Sequence, residues 1–308
     1  MLLVLGSINI DLTTYTDEIP KVGETVIGKA FEKYPGGKGA NQAVCAAKLG
    51  AKTSFLGKVG NDDHGDFLLK GMAGNGIDIS HIDKCDTSTG MAAISVDSSG
   101  RNNIIVVPGA NAFVDVEYIK RNTDVIKNCE IILAQHETPA ESTEYAFKIA
   151  KSHNKTTILN PAPAAPLTKD MISCTDILVP NEHELLRITG KPCSSVKEIS
   201  GAARSLAACG INCIIVTMGQ AGVLLLHEGN ENVFPAFNVT AVDTTAAGDS
   251  FLGGFADSYI KNRNIEEAIN RGQTVASYSV QHKGAQSSMP SYEQFTSYKN
   301  GLNRNTRG

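Results

Sequence analysis

Two short segments carry the residues of this chain that could do chemistry. Residues 36–41 read GGKGAN, and residues 242–251 read VDTTAAGDSF, with Asp249 directly after a glycine. Both precede stretches of helical composition. Glycine and other small residues let the N–H groups of a helix start approach an anion closely. A carboxylate beside such a phosphate cradle could accept the proton of an attacking hydroxyl group. The segments therefore indicate phosphoryl chemistry, with Asp249 as the candidate base.

Each segment also has a purely structural interpretation. Residues 36–41 could be a tight loop that leads into a helix. They match neither the P-loop spacing nor the dinucleotide fingerprint, because Gln42 stands where that fingerprint has its third glycine. The missing fingerprint disfavours a dinucleotide oxidoreductase. Asp249 could simply cap the helix predicted at 251–260, whose positive end favours an ionised carboxylate. The small residues at 246–248 favour the functional interpretation.

Polar residues after predicted strands are further candidates, because ligands collect at the carboxyl ends of parallel strands. Asn181 and Glu184 are spaced to hold a hydrated Mg²⁺ near phosphates, or to form a capping box at a helix start. Residues 217–222 (TMGQAG) could contact a nucleotide or form an ordinary turn. Asn9 and Asp11 follow the first strand and could bind a hydroxylated ligand.

An alternation of apolar strands and helices must position these residues. The predicted strands are 2–5, 53–56, 131–134, 156–159, 177–179 and 213–217. The predicted helices are 40–49, 63–72, 139–152, 182–189, 196–208 and 251–260. This order predicts an α/β fold with a mostly parallel sheet and right-handed crossovers.

Two pairs of β segments lack a helix between them and break the alternation. Residues 13–15 with 25–32, and 91–96 with 104–107, are predicted to be antiparallel and to lie outside the main sheet. They could form a small lid or merely extend one edge. Residues 223–227 and 233–234 are predicted to form a structural hairpin.

Composition excludes several classes of protein. With 42% hydrophobic residues in 308, the chain can build a sizeable core, and a net charge of -4 gives no support for a nucleic-acid or anionic-membrane partner. The longest apolar runs have the length of strands, and the amino terminus has no basic region or cleavage site. Seven scattered cysteines without a Cys-x-x-Cys pair indicate free thiols. We therefore expect a soluble cytoplasmic protein.

Taken together, the two segments resemble the paired signatures of the ribokinase-type carbohydrate kinases. Further matches occur, in order along the chain, at 6–11 (GSINID), 159–164 (LNPAPA), 179–182 (VPNE) and 283–288 (KGAQSS). The resemblance implies a three-layer α/β/α fold with a central mostly parallel sheet and a small β lid that often forms a dimer interface. It thus implies one carbohydrate-kinase domain over 1–308, lid segments near 12–34 and 88–108, and a homodimer.

The resemblance also implies roles for the matching residues on the acceptor side. Asp249 would be the general base that contacts the substrate. The other sugar contacts would be Asn9, Asp11, Gly37, Lys38, Asn41 and Glu137. The anion hole would consist of Ala246, Ala247 and Gly248.

On the donor side the resemblance implies ATP, Mg²⁺ and an activating K⁺. The ATP contacts would be Asn181, Thr217, Gly219, Gln220, Gly222 and Gly248. Glu184 would hold Mg²⁺ through water. The K⁺ loop, largely of backbone oxygens, would consist of Asp243, Thr245, Ser279, His282, Gly284 and Ser288.

The implied activity is ATP-dependent phosphorylation of D-ribose at its 5-hydroxyl, which gives ribose 5-phosphate and ADP. A kinase for 2-deoxyribose or another small sugar remains the alternative. Tyr34-Pro35 and His136 depart from the family pattern beside proposed sugar contacts and therefore bear on the choice of sugar. A binding regulator without catalysis is disfavoured by the intact Asp249 segment.

Overall fold

The strands of the computed structural model, which describes residues 1–305, form two sheets. A nine-stranded sheet has the order β13-β12-β11-β10-β9-β8-β1-β4-β5, and a four-stranded sheet has the order β3-β2-β6-β7. The strands are β1 Leu2–Leu5, β2 Asn9–Tyr15, β3 Ala30–Gly36, β4 Thr53–Gly60, β5 Ile82–Cys85, β6 Gly90–Val96, β7 Asn102–Val107, β8 Ile131–Ala134, β9 Thr156–Leu159, β10 Ile177–Leu178, β11 Cys213–Thr217, β12 Val223–His227 and β13 Asn230–Phe234.

In the larger sheet β11 through β5 are parallel, and β12 and β13 are added antiparallel at one edge. The predicted central mostly parallel sheet is therefore confirmed. The turn between β12 and β13 consists of Glu228 and Gly229, both with positive φ (51° and 82°). This is the backbone that a two-residue hairpin of the favoured hand requires.

Helices cover both faces of the larger sheet. They are α1 Lys38–Lys48, α2 Asp63–Gly74, α3 Val116–Arg121, α4 Thr123–Asn128, α5 Ala140–Ser152, α6 Lys169–Ser173, α7 Glu182–Thr189, α8 Val196–Ala207, α9 Ala247–Asn262, α10 Ile265–Ser279 and α11 Tyr292–Asn305. In β1, Leu2 and Val4 pack into the core shared with α1, α2, α9, α10 and α11, whereas Leu3 and Leu5 pack into the core shared with α3 to α8. The strand is continuously apolar because both of its faces are buried.

The four-stranded sheet contains the two predicted antiparallel pairs, joined by a parallel contact between β2 and β6. The prediction that they lie outside the main sheet is confirmed. Several boundaries were wrong: the segments predicted at 13–15 and 104–107 are the longer strands Asn9–Tyr15 and Asn102–Val107. The second segment was predicted at 25–32, but the register pairs Asn9 with Gly36 and Tyr15 with Ala30, so the strand begins at Ala30. Residues 25–29 are exposed and outside any strand.

Gly37 sets where α1 begins. Its φ is +89°, and a Cβ there would lie 2.8 Å from the backbone of both Ser7 and Asn9. A side chain is excluded by both the dihedral angle and the contact. Gly39 is equally constrained, because its Cβ would lie 2.7 Å from Cα of Gly6. These glycines allow the start of α1 to pack directly against the segment after β1.

The helix α9 begins at Ala247, four residues before the predicted start at 251. Asp249 therefore lies in the first turn of the helix and not before it. Ala246, at the N-cap, has a left-handed backbone with φ 56°, which is uncommon for a residue with a side chain. Within residues 1–305 no helix is both long and apolar enough to cross a bilayer.

Candidate active site

The predicted site residues collect at the carboxyl ends of five adjacent parallel strands. The strands β1, β8, β9, β10 and β11 are neighbours in the sheet, and the chain order reverses between β1 and β8. The polar residues that follow them, strand by strand, are Ser7 and Asn9, Gln135 and Glu137, Asn160, Asn181, and Thr217. A crevice at such a reversal point is where open α/β sheets bind ligands.

A cavity of about 190 Å³ lies at this edge, between α1, α7 and α9. Its wall contains many of the predicted residues: Lys38, Asn181, Glu184, Thr217, Ala246, Ala247, Gly248 and Asp249. At Gly248 an added Cβ would meet no atom within 4 Å, so the first turn of α9 faces open space. The free N–H groups of a helix start favour negative charge there.

A second cavity, of about 390 Å³, adjoins the first and shares Asn181, Thr217, Ala247 and Gly248 with it. It also contains the predicted nucleotide residues Gly219, Gln220 and Gly222. Sequence analysis did not find its apolar lining, which consists of Val223, Ala236, Phe237, Val239, Ala241, Phe251, Ala276 and Val280. The two cavities meet at the amino terminus of α9.

Asp249 is buried between two amide side chains. Its Oδ2 accepts a hydrogen bond from Nδ2 of Asn41 at 3.0 Å, and its Oδ1 accepts one from Nε2 of Gln42 at 2.9 Å. The helix start has no side-chain cap. The capping interpretation of Asp249 is therefore wrong, because both carboxylate oxygens are engaged with α1.

The sequence predicts that the positive end of the helix keeps Asp249 ionised. In the structure, burial and neighbouring groups also act on the pKa of this carboxyl. Burial raises the pKa of Asp249, with a smaller contribution in the same direction from Glu137. The Lys38 ammonium and the hydrogen bonds from Asn41 and Gln42 oppose that rise. The pKa lies above its usual value of 3.8 because burial outweighs these stabilising contacts.

Three carboxylates surround Lys38. Its backbone N–H donates to Oε2 of Glu137 at 3.0 Å, and the hydroxyl of Ser7 donates to the same oxygen. Burial lowers the pKa of the Lys38 ammonium, but Asp249, Glu137 and Glu184 together keep it above the ordinary value. Burial, and to a smaller extent the negative charges of Glu137 and Asp249, raises the pKa of the Asp11 carboxyl to about 7.

Further buried partners fix these side chains, and sequence analysis missed them. Asn111 donates from Nδ2 to Oδ1 of Asn9 at 2.7 Å. Gln286 donates from Nε2 to Oδ1 of Asn41 at 3.1 Å, and Gln135 donates from Nε2 to Oε1 of Gln42 at 2.6 Å. Two of these partners are close to the sequence motifs: Gln42 directly follows Asn41, and Gln286 lies within residues 283–288.

The two departures from the family pattern also lie at this site. Tyr34 is paired with Asp11 across β2 and β3, and its hydroxyl donates to Glu32. The backbone N–H of His136 donates to the carbonyl of Ala162 at 3.0 Å, and burial lowers the pKa of its imidazole. The imidazole of His136 therefore loses its proton more readily than an exposed histidine.

Asn181 and Glu184 form the capping box that was the structural alternative. The Asn181 side chain accepts from the N–H of Glu184 at 2.8 Å, and Oε2 of Glu184 accepts from the N–H of Asn181 at 2.9 Å. Glu184 nevertheless lines the smaller cavity, and burial raises its pKa. A carboxylate beside a phosphate site is a usual donor for Mg²⁺, which keeps several of its waters. The residues present therefore fit a hydrated Mg²⁺.

The segments predicted to bind K⁺ lie side by side. Oδ2 of Asp243 accepts from the N–H of Gly284 at 2.8 Å, its Oδ1 accepts from the N–H of Thr245 at 2.9 Å, and its own N–H donates to Val280. The hydroxyls of Ser279 and Ser288 are 2.6 Å apart. His282 is exposed and stacks on Tyr278, so its ring takes no part in this loop. The loop offers backbone and hydroxyl oxygens, which suit a monovalent cation.

The rest of the described chain offers few features of a second site. In the part of the chain that the structure describes, no three His, Cys, Asp or Glu side chains form a metal-binding group. A polar groove of about 530 Å³ lies beside the β12–β13 turn and the connection between α9 and α10. It contains none of the predicted site residues.

Comparisons with known proteins agree with this geometry. The family model described as "pfkB family carbohydrate kinase" matches residues 1–292. The chain is 43% identical to a deoxyribokinase of Salmonella typhimurium (96% of this chain, 97% of the relative) and 39% identical to a ribokinase of Haemophilus influenzae (95% and 96%). The structure of Arabidopsis thaliana ribokinase complexed with ribose and ATP superposes with a TM-score of 0.92 at 32% identity, covering 96% of this chain and 97% of that one. The predicted family, fold and enzyme class are confirmed: the chain belongs to the pfkB family of carbohydrate kinases.

Proposed function

We propose that this protein transfers the γ-phosphoryl group of ATP to the 5-hydroxyl of D-ribose, giving D-ribose 5-phosphate and ADP. The observation that carries the proposal is the position of Asp249. It lies in the first turn of α9, in the wall of the smaller cavity, and directly follows Gly248, which lines both cavities. The sugar would occupy the polar side and the nucleotide the apolar side, with the reacting groups between them.

The polar side is built to bind hydroxyl groups. Asn9, Asp11, Gly37, Lys38, Asn41 and Glu137 are the proposed sugar contacts. Lys38 and the carboxylates around it supply both donors and acceptors, so each sugar hydroxyl can find a partner of the right kind. Tyr34 pairs with Asp11 in the four-stranded sheet and His136 precedes Glu137 in the chain, so we propose that both influence the choice of sugar.

Asp249 would accept the proton of the 5-hydroxyl as its oxygen attacks phosphorus. A carboxylate is a weak base for a free alcohol, but the attacking oxygen becomes more acidic as its bond to phosphorus forms. The N–H groups at the start of α9, from Ala246 to Gly248, would stabilise charge on the transferring group. Bound Mg²⁺ would neutralise further phosphate charge, held through water by Glu184.

The apolar cavity would hold the nucleotide base, with Asn181, Thr217, Gly219, Gln220 and Gly222 beside the ribosyl and phosphate groups. The Arabidopsis relative, at 32% identity, was solved with ribose and ATP. We also propose that K⁺ binds at the loop of Asp243, Thr245, Ser279, His282, Gly284 and Ser288. This loop contacts α9 through the Ser250–Ser279 hydrogen bond of 3.0 Å, so a bound cation would stiffen the start of that helix.

The second candidate substrate is 2-deoxyribose, and a specific observation favours it: the Salmonella relative at 43% identity is a deoxyribokinase. The two sugars differ only in the 2-hydroxyl. A buried polar group left without its partner costs about 1–3 kcal/mol. If the pocket is built for ribose, kcat/KM for 2-deoxyribose should therefore be lower by about tenfold or more.

Release of ADP by the purified protein tests the proposal. The assay compares ribose, 2-deoxyribose, fructose and nucleosides, each with K⁺ or with tetramethylammonium in its place. We expect ribose to be preferred and K⁺ to raise turnover. An equal or reversed preference would move the assignment to 2-deoxyribose, and no ADP release with any sugar would refute the kinase activity.

We further propose that residues 1–308 act as one carbohydrate-kinase domain whose four-stranded sheet is a lid and a homodimer interface. The support is the surface of β7, where Ile104, Ile105, Val106 and Val107 are all exposed. Four adjacent apolar residues on an edge strand favour burial against a second copy. A cytoplasmic location is proposed from the cysteines, all seven of which are free thiols.

A further inference from the structure

Each carboxylate oxygen of Asp249 faces an amide that is itself held by a glutamine. On one side, Nε2 of Gln42 donates to Oδ1 of Asp249 at 2.9 Å, and Oε1 of Gln42 accepts from Nε2 of Gln135 at 2.6 Å. On the other side, Nδ2 of Asn41 donates to Oδ2 at 3.0 Å, and Oδ1 of Asn41 accepts from Nε2 of Gln286 at 3.1 Å. We call these two chains of hydrogen bonds the amide relays.

In each relay the inner amide donates to the carboxylate and its oxygen accepts from the outer glutamine. A primary amide has a donor end and an acceptor end of nearly the same shape. If Gln42 were rotated by half a turn, its oxygen would face a carboxylate oxygen and repel it. The same rotation would also turn the oxygen of Gln42 away from the NH₂ group of Gln135, which donates to it. The second N–H of Gln42 donates to Oδ1 of Asn160 at 3.1 Å, so both of its donors are used.

The first relay, through Gln42 and Gln135, lies in the protein interior. Gln42 and Gln135 have no solvent exposure, and Asp249 is 7% exposed. In such surroundings water does not replace a lost hydrogen bond, and an unpaired charge is costly. Gln286 is only partly buried, so the second relay is closer to solvent.

We propose that Gln42, Gln135 and Gln286 are positioning residues for the phosphoryl transfer, because their relays hold both oxygens of Asp249 as hydrogen-bond acceptors. This role rests on the proposed function, in which Asp249 takes the proton of the sugar. Burial raises the pKa of Asp249, and the donors Asn41 and Gln42 oppose that rise. Loss of a donor therefore raises the pKa further and leaves less of the base ionised at a given pH.

The test is the pH dependence of kcat at saturating sugar in Gln42→Met, which keeps the side-chain volume and removes the donor. We expect the acidic limb of the profile to move up by about one pH unit or more, because hydrogen bonds to charged groups shift equilibria by about tenfold or more. Below the limb kcat falls by that factor, and at high pH it approaches the wild-type plateau. Gln286→Met should move the limb in the same direction by less.

Thr157→Val is the matched control. Thr157 is fully buried on β9, near the strand end opposite to Asn160, and its hydroxyl donates to the carbonyl of Cys174 at 2.6 Å. This variant loses that bond and the one that the hydroxyl accepts from the N–H of Asp176 at 2.9 Å, both away from Asp249, and should keep the wild-type profile. A loss of kcat in Gln42→Met that is equal at every pH, or a profile that superposes on the wild type, would overturn the proposal.

A titration without substrate separates this proposal from the proposed function. The carboxyl carbon of Asp249 is followed by ¹³C NMR in protein labelled at aspartate and is assigned with Asp249→Asn. A higher pKa in Gln42→Met or Gln286→Met supports the relays even if the wild type phosphorylates no sugar. An unchanged pKa in folded Gln286→Met and Gln42→Met overturns the relays even if the wild type is an active kinase. If Gln42→Met does not fold, Gln286→Met alone decides the outcome.

Discussion

Sugar binding should weaken below neutral pH because of Asp11. Burial, with Glu137 and Asp249, raises the pKa of this carboxyl from 3.8 to about 7. An ionised carboxylate accepts hydrogen bonds from sugar hydroxyls at both oxygens, and protonation removes part of that capacity. With a pKa near 7, the ionised fraction falls from about nine tenths at pH ~8 to about one tenth at pH ~6. We therefore expect KM for ribose to rise about tenfold over that interval.

The assay separates Asp11 from the other titrating groups. KM and kcat for ribose are measured across this interval with saturating Mg-ATP, in the wild type and in Asp11→Asn. The asparagine does not titrate, so its KM should be high at every pH and nearly constant. A wild-type KM that stays constant, or one that rises equally in Asp11→Asn, would refute the reasoning.

The same pKa has a consequence for stability with a definite sign. Between about pH 4 and 7, Asp11 holds a proton in the folded protein but has lost it in the unfolded chain. The penalty for an ionised Asp11 is therefore absent below the unfolded pKa and complete above about pH 7. Asp11→Asn should accordingly raise Tm more at pH ~8 than at pH ~4, and an equal effect at both would contradict this sign.

Three further outcomes are expected. Asp249→Asn should lower kcat by about 10²–10⁴-fold while ribose still raises Tm, and near-wild-type turnover would remove the base from the mechanism. Asp257, which has no solvent exposure, pairs with both Arg271 and Lys261, so the double variant Arg271→Met, Lys261→Met should lower the free energy of unfolding by about 3–5 kcal/mol in urea with unchanged kinetics; a change under about 1 kcal/mol would count against a buried charge pair. Ile105→Asp on β7 should halve the mass measured by light scattering, and a wild type that is already monomeric at micromolar concentration would refute the dimer.

The alternation of apolar runs and helices predicted the main sheet because that pattern is local. Leu2–Leu5 shows it within four residues, since alternate side chains enter opposite cores. The helices α3 and α4 escaped prediction because each spans only 6 residues, too few to show an apolar period. The end of β3 at Gly36 was missed for a different reason: it is fixed by pairing with Asn9, which lies in another segment.

The site was predicted as far as its residues cluster in short motifs. The two glycine-containing segments supplied Asn41 and Asp249, and their contact of 3.0 Å joins residues 208 positions apart. Gln135 and Gln42 are 93 positions apart, and neither glutamine carries a local signal of chemistry. The apolar wall of the larger cavity was missed because, in a sequence, Phe237 and Val239 resemble any other apolar residues. Only the fold shows which of them border open space.

The charge balance of the pocket links the sugar side to the metal. Lys38 faces Asp249, Glu137 and Glu184, and the carboxyl of Asp11 nearby has a pKa of about 7. Arrival of a triphosphate adds negative charge to a pocket in which carboxylates already outnumber this ammonium, and like charges at such distances repel strongly in low-dielectric surroundings. We therefore expect the nucleotide to bind together with a compensating cation. Glu184 lines this cavity and also forms the capping box of α7, so one residue would serve both the helix start and the proposed Mg²⁺.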